Sequence, residues 1–300
     1  MTRSPPAPGR YLTSQALRAA LDSRLMNEVR SRNIDVGRLR RQVAFERLLV
    51  RLAAADGSDT WVVKGGLALE LRLSAQARAT RDLDLATLES MDDGAATWDR
   101  LAAAVTRDPQ ADGFEFTIGA PRPLTADRGG RPGWRFPVDA RLGGATFVKV
   151  RIEVVARADE IDGGIENLTF RSVLAFAGLP TTITIRAVDL AQHAAEKLHA
   201  LTREYGERQN TRVKDLVDLV LLIEQDLIES DRLTDRLRAV FAVRGTHPLP
   251  LELPQLPASW QRDYAALVAD LDVGARTADR GRALVAQLWA ECVAEGGWAG

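Results

Sequence analysis

The stretch from Lys64 to Leu85, KGGLALELRLSAQARATRDLDL, decides the fold of this chain. The apolar run Trp61–Val63 precedes its glycine pair, and Leu67–Leu73 follows at helical spacing. This order predicts a strand, a tight turn and a helix. The segment Asp82–Ala86 alternates acid with leucine or alanine, which is typical of a second strand with one polar and one apolar face.

The two aspartates of this stretch suit a divalent cation. Residues two apart in a strand point to the same side, so Asp82 and Asp84 should project together while the leucines enter the core. Magnesium prefers such oxygen ligands and leaves positions for substrate phosphates, with Mn²⁺ as the alternative. Gly65 and Gly66 allow backbone N–H groups at a helix N-terminus to approach a phosphate. The stretch therefore predicts a metal and a triphosphate side by side.

The tripeptide Asp-x-Asp alone carries little weight. It recurs at Asp270–Asp272, where no glycine pair precedes it and where the pattern predicts a helix over 259–272. We interpret that second copy as an exposed surface feature. The ordered combination of strand, Gly-Gly, helix and acidic strand is what carries the prediction at Asp82.

Composition excludes several classes of protein. The chain has 300 residues, of which 46% are hydrophobic and 27% charged, as in ordinary globular proteins and not in disordered ones. Its apolar runs are far shorter than the roughly 20 residues of a membrane helix, so no membrane association is expected. The N-terminus lacks the apolar segment of a secretory signal and is expected to be a flexible tail. Cys292 is the single cysteine, which excludes an internal disulfide and suits a cytoplasmic location.

Positive charge is concentrated near the N-terminus. Residues 1–56 contain eleven arginines and five acidic residues, whereas the whole chain has a net charge of −1. Two interpretations stay open at this point. The arginines form a nucleic-acid-binding surface, or they form solvated faces of two ordinary helices.

The predicted elements indicate an α+β fold. Helices are predicted at 13–31, 35–55 and 93–105, and strands at 114–118 and 147–155, with turns at Gly129–Gly130 and Gly143–Gly144. From Asp189 onward the pattern predicts helices, with an interruption at the proline-rich interval 248–257. The later helices are predicted at 189–204, 212–228, 231–243, 259–272 and 277–295. We expect an α/β domain over 1–187, including the basic N-terminal helices, and a helical domain over 188–300 that contributes Lys and Asp residues to the site.

The motifs resemble those of a known family. Lys64-Gly65-Gly66-x-Ala68-Leu69 followed by Arg81-Asp82-Leu83-Asp84-Leu85 resembles the first motif of the AbiEii/AbiGii (MenT-type) nucleotidyltransferase toxins, of the DNA polymerase β-like superfamily. The later segments AEKLHAL, 195–201, and RVKDLVDL, 212–219, agree in order. The resemblance covers roughly residues 45–225. It implies a polymerase β-like core with a mixed sheet, followed by a C-terminal helical bundle.

The resemblance also implies an activity. It implies a Mg²⁺-dependent transfer of a nucleoside monophosphate from an NTP to an acceptor hydroxyl, at the 3′ acceptor end of tRNA, which would inhibit translation. A cognate antitoxin would be the partner, and we expect a monomer. The implied catalytic residues are Asp82, Asp84, Glu153, Lys197 and Asp215, with Asp82, Asp84 and Glu153 as metal ligands. The implied nucleotide-binding residues are Lys64, Gly65, Gly66, Thr80, Arg81, Lys197 and Lys214.

Several of these residues allow a plainer interpretation. Lys197 lies at the edge of an apolar helix face and either contacts phosphates or extends its ammonium to solvent. Lys214 either contacts phosphates or pairs with Asp218 one helical turn later. Thr80 is either a strand-entry hydroxyl or a phosphorylation site facing the triphosphate. The third carboxylate is often an aspartate in the family, and Glu153 is the best candidate here.

Other functions stay open from the sequence. The same motif serves nucleotidylation of a protein or a small molecule. A toxin-like scaffold without turnover, or a plain nucleic-acid-binding protein, belongs to another class, and the latter leaves the Asp-x-Asp unexplained. The three histidines, His193, His199 and His247, have no metal-ligand spacing, so zinc is not expected.

Overall fold

The computed structural model describes residues 11–89, 93–124, 132–206 and 209–297. The predicted N-terminal tail, up to residue 10, and the turn predicted at Gly129–Gly130 lie outside these ranges. The chain divides into two compact units. The first contains residues 1–67, 79–157 and 167–187, and the second contains 68–78, 158–166 and 188–300.

A mixed sheet forms the centre of the first unit. Among the described residues its strands run in the order β3-β5-β6-β2-β1-β8-β7, with β4 pairing with β5. The pairs β2/β6 and β1/β8 are parallel, whereas β1/β2, β3/β5 and β5/β6 are antiparallel. The strands are β1 Trp61–Lys64, β2 Asp82–Thr87, β3 Phe114–Ile118, β4 Arg122–Pro123, β5 Gly133–Leu142, β6 Ala145–Ala156, β7 Ile165–Arg171 and β8 Thr182–Val188. The sheet confirms the predicted α+β class, and the turn predicted at Gly143–Gly144 joins β5 to β6.

Three helices accompany this sheet. They are α1 Ser14–Arg32, α2 Val36–Ala53 and α4 Gly94–Val105, and α3, Gly65–Leu73, follows β1 directly. The Thr13 hydroxyl accepts a hydrogen bond from the Ala16 amide, and the Asp35 carboxylate accepts one from Arg38, so each side chain caps its helix. The apolar face of α2 is buried and packs on β6, as its helical spacing predicted.

Two of the N-terminal arginines belong to the interior. Arg47 and Arg51 of α2 are fully buried. Arg51 donates two hydrogen bonds to the Asp112 carboxylate, at 2.7 and 2.8 Å, and Arg47 donates to the side chain of Gln110. Buried charges are usually paired, as these two are, and they add nothing to the surface. The exposed positive charge of this region is therefore smaller than its arginine count indicated.

The second unit is mostly helical. Its helices after the end of α3 are α5 Ala158–Ile161, α6 Leu190–Thr202, α7 Val213–Glu224, α8 Ser230–Arg244, α9 Trp260–Val268 and α10 Ala278–Gly296. Its core contains the buried side chains of Trp260, Tyr264 and Trp289 together with a large aliphatic cluster. In the ranges that the structure describes, no helix combines the length and the apolar character needed to span a membrane.

The helix predicted over 259–272 is too long. Helix α9 ends at Val268, and Asp270–Asp272 lies in the turn that follows. Leu271 is buried there and both aspartates are exposed. Leu271 therefore packs into the core from a turn and does not need to lie on a helix. The second Asp-x-Asp is a surface feature, as predicted, but it is not helical.

Candidate active site

The first Asp-x-Asp lies on the sheet as its alternation predicted. Asp82 and Asp84 of β2 are half-buried and face one side, while Leu83 and Leu85 are buried on the other. The leucines anchor the strand in the core, and the carboxylates remain accessible to a ligand.

The register of the sheet places further charges beside Asp84. Lys64 of β1 is directly opposite Asp84 on one side, and Glu153 of β6 is opposite it on the other. Arg135 of β5 is opposite Glu153. Residues directly opposite on neighbouring strands share a face, so four adjacent strands present a row of two neighbouring carboxylates with a cationic side chain at each end. The sequence and its resemblance indicated Glu153 as the third carboxylate, and the register supplies its position next to Asp84.

Two arginines hold the carboxylates, and neither was expected. Arg151 Nε donates to Asp82 Oδ1 at 2.6 Å, and Arg135 Nε donates to Glu153 Oε1 at 2.8 Å. The Arg151 and Arg135 side chains are 44% and 42% exposed. Alternation within β6 puts Arg151 on the face of Glu153, a signal that was available in the sequence. The Arg135 pairing depends on strand register, which no local pattern supplies.

Gly65 lies against the Asp84 carboxylate. Its φ is +64°, in the left-handed region. A Cβ atom built on Gly65 would lie 1.9 Å from Asp84 Oδ2 and 2.8 Å from Asp84 Cβ. Only glycine fits here, both for its conformation and for the space that Asp84 occupies. Gly66 is buried in the first turn of α3, so the predicted strand, glycine pair and helix are confirmed.

Thr80 and Arg81 precede β2. The Thr80 side chain is buried, and its hydroxyl donates to the Asp82 backbone carbonyl at 3.3 Å. This contact is what a strand-entry hydroxyl would make, and phosphorylation of Thr80 stays a prediction. Arg81 is exposed.

The carboxylates do not converge on one point in this conformation. Among the described residues, no three His, Cys, Asp or Glu side chains form a group that could hold a metal ion. The physical reason is visible at the site. Asp82 and Glu153 each face a guanidinium group, and Asp84 lies against Gly65. The chemistry of the donors, three carboxylates on one face of adjacent strands, nevertheless fits a hard divalent cation.

Two of the three expected residues of the second unit, Lys197 and Asp215, belong to a buried cluster. Lys197 is 5% exposed, and its Nζ donates to Asp215 Oδ1 at 3.1 Å and to Asp218 Oδ2 at 2.6 Å. Arg78 donates two hydrogen bonds to the Asp218 carboxylate, both at 2.8 Å. The ammonium of Lys197 therefore does not extend to solvent. Of the two interpretations of Lys214, the structure does not form the pair with Asp218, because Arg78 and Lys197 hold Asp218 and Lys214 is exposed. The contact of Lys214 with phosphates stays a prediction.

Electrostatics favour the charged forms of Lys197 and Asp215. Burial lowers the pKa of Lys197, but the carboxylates of Asp218 and Asp215 outweigh it, so the net pKa is raised. Burial raises the pKa of Asp215, but Lys197 and Arg212 outweigh it, so the net pKa is lowered. Three cationic side chains, those of Lys197, Arg78 and Arg212, share two carboxylates. The cluster thus has a net charge of +1, and each carboxylate neutralises more than one neighbour.

His199 and His247 come together in the second unit, although they are far apart in sequence. Their ring centroids are 4.7 Å apart, and the Thr246 hydroxyl contacts both rings. Arg244 lies 3.1 Å from His199 Nδ1 and can only donate, so Nδ1 must accept and His199 is neutral. Burial, and then the Arg244 charge, lower the pKa of His199 to about 3.

The predicted site residues thus fall into two groups. Lys64, Gly65, Gly66, Thr80, Arg81, Asp82, Asp84 and Glu153 belong to the first unit, and Lys197, Lys214 and Asp215 belong to the second. Within the first unit, the register brings Lys64, Asp84 and Glu153 side by side. Within the second, Lys197 contacts Asp215, whereas Lys214 is exposed outside that contact.

Comparisons with known proteins bear on the family of this chain. A sequence search of curated proteins finds no match. A structure search finds the "Crystal structure of putative nucleotidyltransferase from H. pylori", with a TM-score of 0.46 and 16% identity over 87% of this chain and 98% of that chain. The family model described as "Nucleotidyl transferase AbiEii toxin, Type IV TA system" matches residues 47–290, which is most of the chain. The chain therefore belongs to the AbiEii family of nucleotidyltransferase toxins.

Proposed function

We propose that this nucleotidyltransferase transfers a nucleoside monophosphate from an NTP to the hydroxyl at the 3′ acceptor end of tRNA, and so inhibits translation. One observation carries the proposal of nucleotidyl transfer. Asp82, Asp84 and Glu153 share one face of the adjacent strands β2 and β6, directly beside the glycine turn that opens α3. The choice of tRNA rests on the resemblance of the motifs.

The carboxylates would hold the metal of the reaction. Asp82, Asp84 and Glu153 would bind Mg²⁺, or Mn²⁺ in its place, once Asp82 and Glu153 turn away from their arginines. The bound cation would neutralise charge on the transferred phosphoryl group. Carboxylate oxygens are the ligands that these hard cations prefer, and Asp84 and Glu153 are already opposite each other in the parallel register.

The side chains of this protein would orient the reactants and move one proton. The acceptor oxygen attacks the α-phosphorus, the bond from that phosphorus to the bridging oxygen breaks, and pyrophosphate leaves. Glu153 would accept the proton of the acceptor hydroxyl. The backbone N–H groups of Gly65 and Gly66, together with Lys64 and Arg81, would bind the phosphates.

The lysines of the second unit would add positive charge. Lys214 is exposed and can meet a phosphate directly, whereas Lys197 is held by Asp215 and Asp218. We propose that Asp215 orients Lys197, and that any phosphate contact of Lys197 is made from this fixed position.

The exposed arginines of α1 would contact the tRNA backbone. Arg24, Arg30 and Arg32 are exposed, unlike the buried Arg47 and Arg51 of α2. Such contacts make binding salt-dependent. The proposal further includes a cytoplasmic, monomeric protein and an antitoxin partner, as the description of its family as part of a toxin–antitoxin system suggests.

The test is transfer of label from each α-labelled NTP to total tRNA with Mg²⁺. The wild type is compared with Asp82→Ala and with Asp270→Ala, which makes the same change in the exposed second Asp-x-Asp. We expect labelled tRNA from the wild type and from the Asp270 variant, and none from the Asp82 variant. If tRNA is not labelled, or if its label survives Asp82→Ala, the tRNA proposal is wrong. Label on protein or on a small molecule instead would identify the alternative acceptor.

A further inference from the structure

We infer that Arg151 and Arg135 occupy the catalytic carboxylates until a divalent cation displaces them, and that the released Arg151 then binds the triphosphate of the nucleotide. This inference rests on the proposed function and deepens it. It assigns a nucleotide-binding role to Arg151 and an order to the binding of metal and nucleotide.

The arginine contacts are suited to exchange. Arg151 bonds to Asp82 at 2.6 Å and Arg135 to Glu153 at 2.6–2.8 Å, so each guanidinium occupies a carboxylate oxygen that a cation would need. Both arginine side chains are more than two-fifths exposed. Exposed ion pairs contribute little stability, because water solvates the separated charges well. A divalent cation can therefore replace these contacts without unfolding the strands.

Binding of a divalent cation would make this face of the sheet attract anions. The outward-facing charged side chains of β2, β5 and β6 comprise four acids and four bases, so the charges of these three strands balance, and Lys64 of β1 adds one positive charge beside Asp84. They are Asp82, Asp84, Asp139, Glu153, Arg135, Arg141, Lys149 and Arg151. A divalent cation would raise the charge by two and would free two guanidinium groups at the same time. The face should thus bind a polyanion much more tightly after the cation than before it.

Arg151 is the better placed of the two to bind the nucleotide. It is directly opposite Asp82 in the parallel register and two residues before Glu153, so it stays next to the carboxylates after release. A guanidinium group forms two parallel hydrogen bonds with a phosphate, which an ammonium group cannot do. The triphosphate is the anion that a metal at these carboxylates would bring within its reach.

Metal binding by the protein alone tests the exchange. Mn²⁺ affinity is measured by electron paramagnetic resonance, without nucleotide, for the wild type, Arg151→Ala and Arg135→Ala. The control is Arg141→Ala, which removes the same charge from the same face, but from a side chain that donates to the Gly144 carbonyl. We expect Mn²⁺ to bind about two- to fivefold more tightly to the Arg151 and Arg135 variants than to the control. Equal or weaker binding would show that the arginines do not compete with the metal.

Binding of inorganic tripolyphosphate, measured by calorimetry, tests the second step. We expect the wild type and Arg141→Ala to bind it with Mn²⁺ present and much more weakly without, and Arg151→Ala to bind about tenfold more weakly with Mn²⁺. Arg151→Lys should recover only part of this loss. Unchanged affinity in Arg151→Ala refutes the triphosphate role. Neither measurement involves an acceptor, so a failure to label tRNA would refute the proposed function and leave these results interpretable.

Discussion

Replacing Gly65 by alanine should disable the site by displacing Asp84. Gly65 has a φ of +64°, and an added Cβ would lie 1.9 Å from Asp84 Oδ2, 2.6 Å from Cγ and 2.8 Å from Cβ. Rotating the carboxylate removes only the first two contacts, because the Asp84 Cβ is fixed by the backbone of β2. The turn or the strand must therefore move.

Gly57 offers a matched control for the size of this effect. It has a φ of +67° with nothing within 4 Å of an added Cβ. Both substitutions incur the strain of a left-handed alanine, about 1–2 kcal/mol. Only Gly65→Ala adds the clash, and relieving it needs a shift on the order of 1 Å at a catalytic carboxylate. A displacement of that size can lower a rate about 100-fold.

Two measurements follow from this comparison. Urea denaturation should show similar losses of unfolding free energy for the two variants, plus an extra loss for Gly65→Ala. Label transfer with Mg²⁺ should be near the wild-type rate in Gly57→Ala and reduced about 100-fold or more in Gly65→Ala. Mn²⁺ binding should weaken in parallel, which gives a readout that does not depend on the acceptor. If Gly65→Ala keeps a rate within a few fold of Gly57→Ala, the proposed contribution of Asp84 is wrong.

Three further predictions concern the second unit. Asp218→Asn leaves the buried cluster with an excess of two positive charges and should cost about 3–5 kcal/mol in unfolding free energy, whereas Lys197→Met leaves it neutral and should cost less; equal losses in urea denaturation would contradict the charge count. Because the pKa of His199 falls to about 3 on folding, the His199 imidazole takes up a proton only in the unfolded chain as the pH drops from about 6.5 to 5. Stability should then fall by up to about 1.4 kcal/mol per pH unit, and His199→Gln should flatten this dependence in thermal unfolding. Lys214→Ala removes an exposed side chain and should change stability by less than about 0.5 kcal/mol, so a lower rate of label transfer in that variant would report a lost substrate contact.

Local patterns predicted the elements that carry the first carboxylates. The alternation at Asp82–Ala86 predicted a strand, and β2 is that strand with the predicted faces. The glycine pair between an apolar run and a helical repeat predicted the turn that Gly65 makes. These predictions hold because backbone conformation and side-chain alternation depend on neighbours in the sequence.

Charge pairing could not be predicted in the same way. Arg47 and Arg51 counted as surface charge in the sequence, but both are buried, and Arg51 pairs with Asp112. Helical spacing offered Lys214 as one possible partner of Asp218, but Asp218 accepts hydrogen bonds from Arg78 of a distant segment. A buried carboxylate binds the cation that tertiary structure brings to it, and sequence spacing contains no information about that partner.

The two Asp-x-Asp copies show why context decides the function. In both copies the leucine is buried and at least part of each aspartate faces outward, so the local pattern is the same. The first copy lies on a strand between β1 and β6, which place Lys64 and Glu153 on either side of Asp84. The second lies in a turn after α9, where no strand pairing is present among the described residues. Two aspartates become a candidate metal site when a neighbouring strand supplies a third carboxylate on the same face.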